Sequence, residues 1–460
     1  MNGLTLFLSF FPPVLTPSYL LALVEPVMET IGMAVGAIFI AFCVSIPLGV
    51  AAGLRLSGAR TLLSALAAWR AIPDLTLAIL CVILFGIGPG AGLLAIALYY
   101  TAIVSKMFAD ILRTAPKGPL DALGATGASR LQIAMYGLLP LKRADLMTYG
   151  AYEFESALRA SIVVGAVGGG GLGSELVGSL AALDLPRVTT LILVLVTMIA
   201  VLDQVAFWLR KHPRWLLALI PAGLVALTAY SPHMIALGHA IEVFGQMFPP
   251  EMTARGWTQL PQQIWETIWM AAAGTSGAII AAIIAGTCSA RNIAPIWLAW
   301  PVRRMIEFLR TVPEVVWGLV LIAVAGVGPT AGAWALGIHS AGCLARLFAE
   351  SLENAAPAPQ LALASTGASR LAVSAYATFP LALGPLAAHS LFRFEWNLRM
   401  ATVMGLIGAG GIGQALYNAQ QLFFYQQMMA YILITWGLVA LIDNASEALR
   451  CRYKLSQAIT

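Results

Sequence analysis

The chain has 460 residues, of which 60% are hydrophobic and 10% charged, against about 45–50% and about 25% in soluble globular domains. The apolar residues are spread along the whole length, because uncharged runs of 25, 31, 27, 24, 31 and 43 residues follow Glu29, Asp74, Arg214, Glu266, Glu314 and Arg399. A bilayer span needs only about 20 apolar residues, so the composition excludes a water-soluble protein and predicts an all-α polytopic membrane protein, and the net charge of +5 reads as basic loops between spans rather than as a nucleic-acid surface.

Taken in chain order, MNGLTLFLSFFPP lacks a basic leader and a small-residue cleavage site and is not read as a signal peptide. Spans are predicted near 27–54, 64–86, 90–112, 144–167 and 190–208. The run Trp215 to Ser231 supplies a connecting crossing, and spans near 264–288, 305–326, 330–352, 383–407 and 428–446 follow. That makes about eleven transmembrane helices. Arg55, Arg60, Arg113, Lys117, Arg130, Lys142, Arg143, Arg210 and Lys211 then fall in cytoplasmic loops, with Arg450, Arg452 and Lys454 inside at the end. Of the 26 Lys and Arg residues only Arg187 and Arg255 are left outside, which fits a bacterial inner-membrane protein with parallel halves. The five cysteines show no CxxC spacing, so neither a metal site nor a disulfide framework is expected.

The chain is written twice. At an offset of 240, RAIPD (70–74) returns as RTVPE (310–314), GIGPG (86–90) as GVGPT (326–330), and KMFAD (106–110) as RLFAE (346–350). Residues 121–140 share ten identities with 361–380, and EFESALRASIVVGAVGGGGLG (153–173) returns as RFEWNLRMATVMGLIGAGGIG (393–413). Upstream the offset is 237, where Glu29-Thr30 meets Glu266-Thr267. The expected organisation is a first repeat over 1–210, a connecting helix and outer linker over 211–260, and a second repeat over 261–460.

The polar interruptions 115–131 and 355–371 each carry a T-G-A-S-R-L core with a proline 13 residues after the glycine. A short helix, a turn at glycine and re-entry at proline would present a rigid knob to a cytoplasmic partner; the bland alternative is a loop that only caps two spans. The pattern resembles the coupling loop of ABC importer permeases, on Leu123, Ala125, Thr126, Gly127 and Pro140 and again on Leu363, Ser365, Thr366, Gly367 and Pro380. The usual Glu-Ala-Ala opening is eroded here to DALGAT and LALAST. Over about 200 residues the second half, from RTVPEVVWGLVLIAVAGVGPTAG through LARLFAESLE and STGASRL to FRFEWNLRMATVMGLIGAGGIG, is similar to phosphonate-type permeases of that family. The first half is the more divergent.

That resemblance implies a type I ABC importer permease fold, two permease units fused in one chain, and no second permease chain. It implies two copies of a cytoplasmic ATPase subunit, which would carry the ATP and Mg. It further implies an extracytoplasmic binding protein and a small phosphorus oxyanion as cargo: phosphonate, phosphite, hypophosphite or phosphate. No cofactor and no bond chemistry are expected in this chain. The glycine clusters do not make a nucleotide site, since no GxxxxGK[ST] occurs and only five lysines are present. They read either as a gate at the outer end of the fourth core span, at Gly168, Gly170, Gly173, Gly408, Gly410 and Gly413, or as tight helix packing.

Ionisable residues inside spans are candidates for the substrate pathway. They are Glu155 with Arg159 and Glu395 with Arg399, each read as an i,i+4 pair, and His339, mid-span where the first half has Tyr99. The arginines offer a planar fork to an oxyanion; the alternative is a pair that only ties helices together, and for His339 a satisfied core histidine. Two rivals remain: an ABC permease for methionine or another small solute, and an ion-coupled secondary transporter. The latter usually has inverted repeats.

Overall fold

The computed structural model describes residues 9–54, 58–212, 218–230 and 237–452. Arg55, Lys454 and both ends of the expected crossing 215–231 lie outside them. Among the described residues every regular element is a helix. Contacts divide the described residues into two compact units, one ending at Phe248 and the other beginning at Pro249.

In the first unit, helix α1 (Val24–Gly53) is followed by α2 (Ala59–Arg70), α3 (Asp74–Phe85), α4 (Pro89–Arg113), the short α5 (Lys117–Ala125), α6 (Leu139–Val164), α7 (Gly171–Ala181) and α8 (Leu185–Lys211). Two further helices, α9 (Leu219–Tyr230) and α10 (Leu237–Gln246), complete it. The second unit repeats the order as α11 (Ala254–Ser289), α12 (Ile296–Thr311), α13 (Glu314–Ala325), α14 (Pro329–Glu353), α15 (Pro357–Ser365), α16 (Phe379–Met404), α17 (Gly411–Gln421) and α18 (Tyr425–Arg452). Each unit is built round one close helix pair, α1 on α4 and α11 on α14, with α6 or α16 packed against both. Small residues let the backbones approach: a Cβ on Gly274 would lie 2.8 Å from the Ala333 carbonyl oxygen, and one on Gly49 2.8 Å from the Phe108 Cβ. Around the second pair, Ala278, Ala282, Leu344, Ala345, Phe348, Leu352 and Leu386 form a continuous core.

Among the described residues six helices are long and apolar enough to cross a membrane, and up to nine spans result if each of three bent pairs is one span. The expectation of about eleven counted two more: α9, with 12 residues, and α14, which carries His339, Arg346, Glu350 and Glu353. The spans expected at 64–86 and 305–326 are not straight, since α2 meets α3 at 84° and α12 meets α13 at 87°. The cause is local: Pro73 and Pro313 supply no N–H to the ladder and push the preceding residue out of the helical region, and Val312 is extended with ψ 119. The fourth core span starts earlier than expected, at Arg130, and bends by 55° into α7 at its glycine cluster.

Helix α9, within the expected connecting crossing, packs on α1 of the first unit, where Gly223 lies so close to Phe39 that a Cβ would fall 2.5 Å from its ring. The Tyr230 hydroxyl donates to the Met28 carbonyl at 3.2 Å.

Candidate functional site

Three repeated features recur in each unit. The first is the polar knob. Helix α5 begins after Pro116 and ends at Ala125, where the Thr126 hydroxyl donates back to the Leu123 carbonyl at 2.7 Å. Gly127 then turns the chain with φ +83, a left-handed conformation that glycine alone adopts without cost. Ser129 starts the next turn with a capping box to Gln132. A π-helical stretch, Ala134–Leu138, precedes Pro140 and takes up the ladder mismatch that a proline imposes. The second unit repeats each step: α15 ends at Ser365, Thr366 donates to the Leu363 carbonyl at 2.7 Å, Gly367 has φ +83, Ser369 accepts from the Ala372 N–H, and Ser374–Thr378 is π-helical before Pro380. Leu131, Tyr136, Leu371 and Tyr376 are each 70% exposed or more. In the first knob a shallow recess is lined by Leu123, Thr126, Gly127, Ala128, Gln132 and Tyr136. Large apolar groups held outward on a rigid helix–turn–helix are what a protein partner binds.

The second feature joins three motifs that are far apart in sequence. Gly168 and Gly408 both have φ +105, and Gly170 and Gly410 φ +82 and +90. Gly88 N–H donates to the Gly168 carbonyl at 2.9 Å, and Gly328 N–H to that of Gly408 at 3.1 Å, so the GIGPG and GVGPT loops are sewn to the glycine clusters. Helices α7 and α17 start there, and their free N–H groups are capped from α1 and α11. Glu29 Oε2 accepts from Gly171 at 2.7 Å and Thr30 Oγ1 from Leu172 at 2.9 Å. Glu266 and Thr267 accept from Gly411 and Ile412 at 2.8 and 3.0 Å. These caps explain the Glu-Thr repeat, to which the sequence alone assigned no role. Gly173 and Gly413 have no room for a side chain, since a Cβ would lie 2.1 Å from the Ile162 carbonyl oxygen and 1.9 Å from that of Thr402.

The third feature is the set of intramembrane charges. Both Nη atoms of Arg159 reach Glu155 Oε1 at 3.1 Å, and Nη1 lies 3.8 Å from Asp203 on α8. In the second unit the pairing runs between helices: Arg399 donates to Asp443, and Arg450 donates to Glu395, both partners lying on α18. The expected i,i+4 pairing is thus seen in the first unit, whereas the bonds of Glu395 and Arg399 go across to the last core helix. Both ring nitrogens of His339 have oxygen neighbours, the Val312 carbonyl at 2.9 Å and Glu314 Oε2 at 3.3 Å. Trp396 donates to Glu314 Oε1 at 3.1 Å, while Arg393, Ser340, Asn397 and Thr275 continue as a buried hydrogen-bonded chain. This network surrounds the break between α12 and α13. Its member Glu314, buried at the start of α13, and the equivalent Asp74 of the first unit, buried at the start of α3, were visible in sequence only as the last letters of RTVPE and RAIPD.

Among the described residues no group of three His, Cys, Asp or Glu is placed to hold a metal ion.

The sequence profile described as "Binding-protein-dependent transport system inner membrane component" matches residues 45–214 and again 277–454. The chain is 31% identical over 404 residues to the phosphate-import permease protein PhnE of Mycolicibacterium smegmatis, covering 83% of this chain and 76% of that protein. It is 35% identical over 212 residues to the phosphite transport system permease protein PtxC of Stutzerimonas stutzeri, covering 46% of this chain and 76% of that one. Among solved structures, the MetNI methionine ABC transporter in an inward-facing conformation is similar over 45% of this chain and 99% of its own, at 19% identity and a TM-score of 0.40.

Proposed function

Since the chain belongs to the family of binding-protein-dependent transport system inner membrane components and carries the domain in both halves, and is thus a multi-pass ABC permease of the phosphonate type rather than an enzyme, we propose that it forms the complete translocation unit of an ATP-driven importer for a small phosphorus oxyanion. Phosphonate, phosphite, hypophosphite and phosphate define the cargo class. An extracytoplasmic binding protein delivers the anion, and no second permease chain is required. Two copies of a cytoplasmic ATPase subunit, holding ATP and Mg, engage the knobs at 115–131 and 355–371. Closure of the ATPases moves the knobs, and the motion passes through the π-helical stretches into α6 and α16, shifting a two-state equilibrium of access. At the outer ends the capped glycine turns at Gly168, Gly170 and Gly173, and at Gly408, Gly410 and Gly413, form the gate region.

The observation that carries this reading is the doubled knob, with the same bonds and the same left-handed glycine in both units. Relatives named for phosphate and phosphite support the cargo class. The test is uptake into proteoliposomes holding this chain with its ATPase and binding protein. ATP-dependent accumulation of phosphite, methylphosphonate or phosphate, and not of methionine, is expected. Uptake of methionine alone would sink the cargo class, and uptake persisting without an ATPase would sink the importer reading.

A further inference from the structure

We infer that Arg70 and Arg310, one in each unit, are the cationic contacts for the translocated anion, and that Arg159 and Arg399 brace the last core helix instead. The inference rests on the reading of the preceding section. Each arginine is the last charged residue before the break of a bent span, in the final turn of α2 or α12. In each the guanidinium Nε is buried without a hydrogen-bond partner. Neither forms an ion pair among the described residues, whereas Arg159, Arg399 and Arg450 all do, with Glu155, Asp443 and Glu395.

A guanidinium left without a counter-charge at membrane depth is costly and defaults to a functional role. The bland account is the helix C-terminus, whose carbonyls favour a cation. That account gives no reason for an apolar span to place an arginine there twice. The surroundings diverged between the units, since His339 and Arg393 stand where the first unit has Tyr99 and Glu153, yet the arginine and the following break are the same in both. Irregular backbone at membrane depth is tolerated where it is buried in protein or lines a cavity, and transported anions are held at interrupted helices. An arginine fork matches two oxygens of a tetrahedral phosphorus oxyanion. Arg159 and Arg399 cannot serve the anion equally well, because their forks already face carboxylates.

The experiment compares phosphite, a dianion at pH 8, with hypophosphite, which carries one charge, in proteoliposomes holding the whole complex. Arg70→Gln and Arg310→Gln are expected to lower phosphite uptake by about tenfold and hypophosphite uptake clearly less, because the lost fork interacts more with the higher charge. Arg399→Gln is expected to reduce the amount of assembled complex while leaving the phosphite-to-hypophosphite ratio of what assembles unchanged. Equal losses for both anions in Arg70→Gln and Arg310→Gln, or no loss, would overturn the inference. Should the Gln variants fail to assemble, Arg70→Lys and Arg310→Lys keep the charge and remove the fork; a shifted anion ratio supports the inference and an unshifted one overturns it. A wild-type complex that carries neither anion removes the cargo reading and this inference together, while wild-type uptake with unaltered variants removes this inference alone.

Discussion

Glycines that look alike in the sequence differ in what surrounds them. Gly127 and Gly367 need their left-handed φ but have nothing within 4 Å of a would-be Cβ. Gly127→Leu and Gly367→Leu therefore cost about 1–2 kcal/mol of backbone strain and create no clash. These variants are expected to assemble with the ATPase subunits, to hydrolyse ATP, and to lose substrate delivery. Normal transport by Gly127→Leu would remove the knob from the coupling route. Gly173 and Gly413 face carbonyl oxygens that cannot retreat, because those oxygens belong to helices α6 and α16. Gly173→Ala is expected to lower the yield of folded protein sharply, by overpacking worth about 1–3 kcal/mol or more, visible as a lower unfolding temperature in detergent. The knob was legible in the sequence because it is a polar island in an apolar chain, with turn and cap residues at fixed spacing. The carboxylate caps were not. Glu29 meets Gly171 across 142 residues, and nothing local in either segment announces the partner.

At the scale of helices, the sequence showed where apolar runs lie but not which of them bend. The expected spans 64–86 and 305–326 pass straight through Pro73 and Pro313, although each proline ends one helix and starts another at nearly a right angle. The i,i+4 spacing of Glu395 and Arg399 suggested a pair along one helix, while the structure sends both to α18, with Asp443 and Arg450. Local spacing records only what one helix can do, and the register between α16 and α18 is set by packing. A cycle on Arg399 and Asp443 separates the two cases. Asp443→Leu leaves a guanidinium without its carboxylate and is expected to cost about 3–5 kcal/mol. Arg399→Leu with Asp443→Leu removes both charges and is expected to recover most of the folded yield. Should the double variant be as poor as the sum of the singles, the bond does not brace the helices.

For the whole molecule, the repeat decides the architecture, and the loop charges decide its orientation. Two copies of one fold that share the knob geometry can serve a two-fold partner, as proposed, only if both knobs face the same side of the bilayer. The basic loops predict the same, because Lys117 and Arg130 flank the first knob and Arg370 flanks the second. Gly118 and Ala358 are exposed positions at the starts of the two knobs, and Leu183 and Phe423 are exposed at the opposite ends of the units, 77% and 69% accessible. With the native cysteines replaced, cysteine at 118 and at 358 is expected to react with a membrane-impermeant maleimide only in everted vesicles. Cysteine at 183 and at 423 is expected to react only in right-side-out ones. Opposite labelling of 118 and 358 would mean that the halves are inverted. Inverted halves would bring back the ion-coupled carrier, whose repeats commonly run that way, and would leave one knob where no ATPase can reach it. Matching labels leave one arrangement: two parallel permease units in a single chain, both open to the same motor.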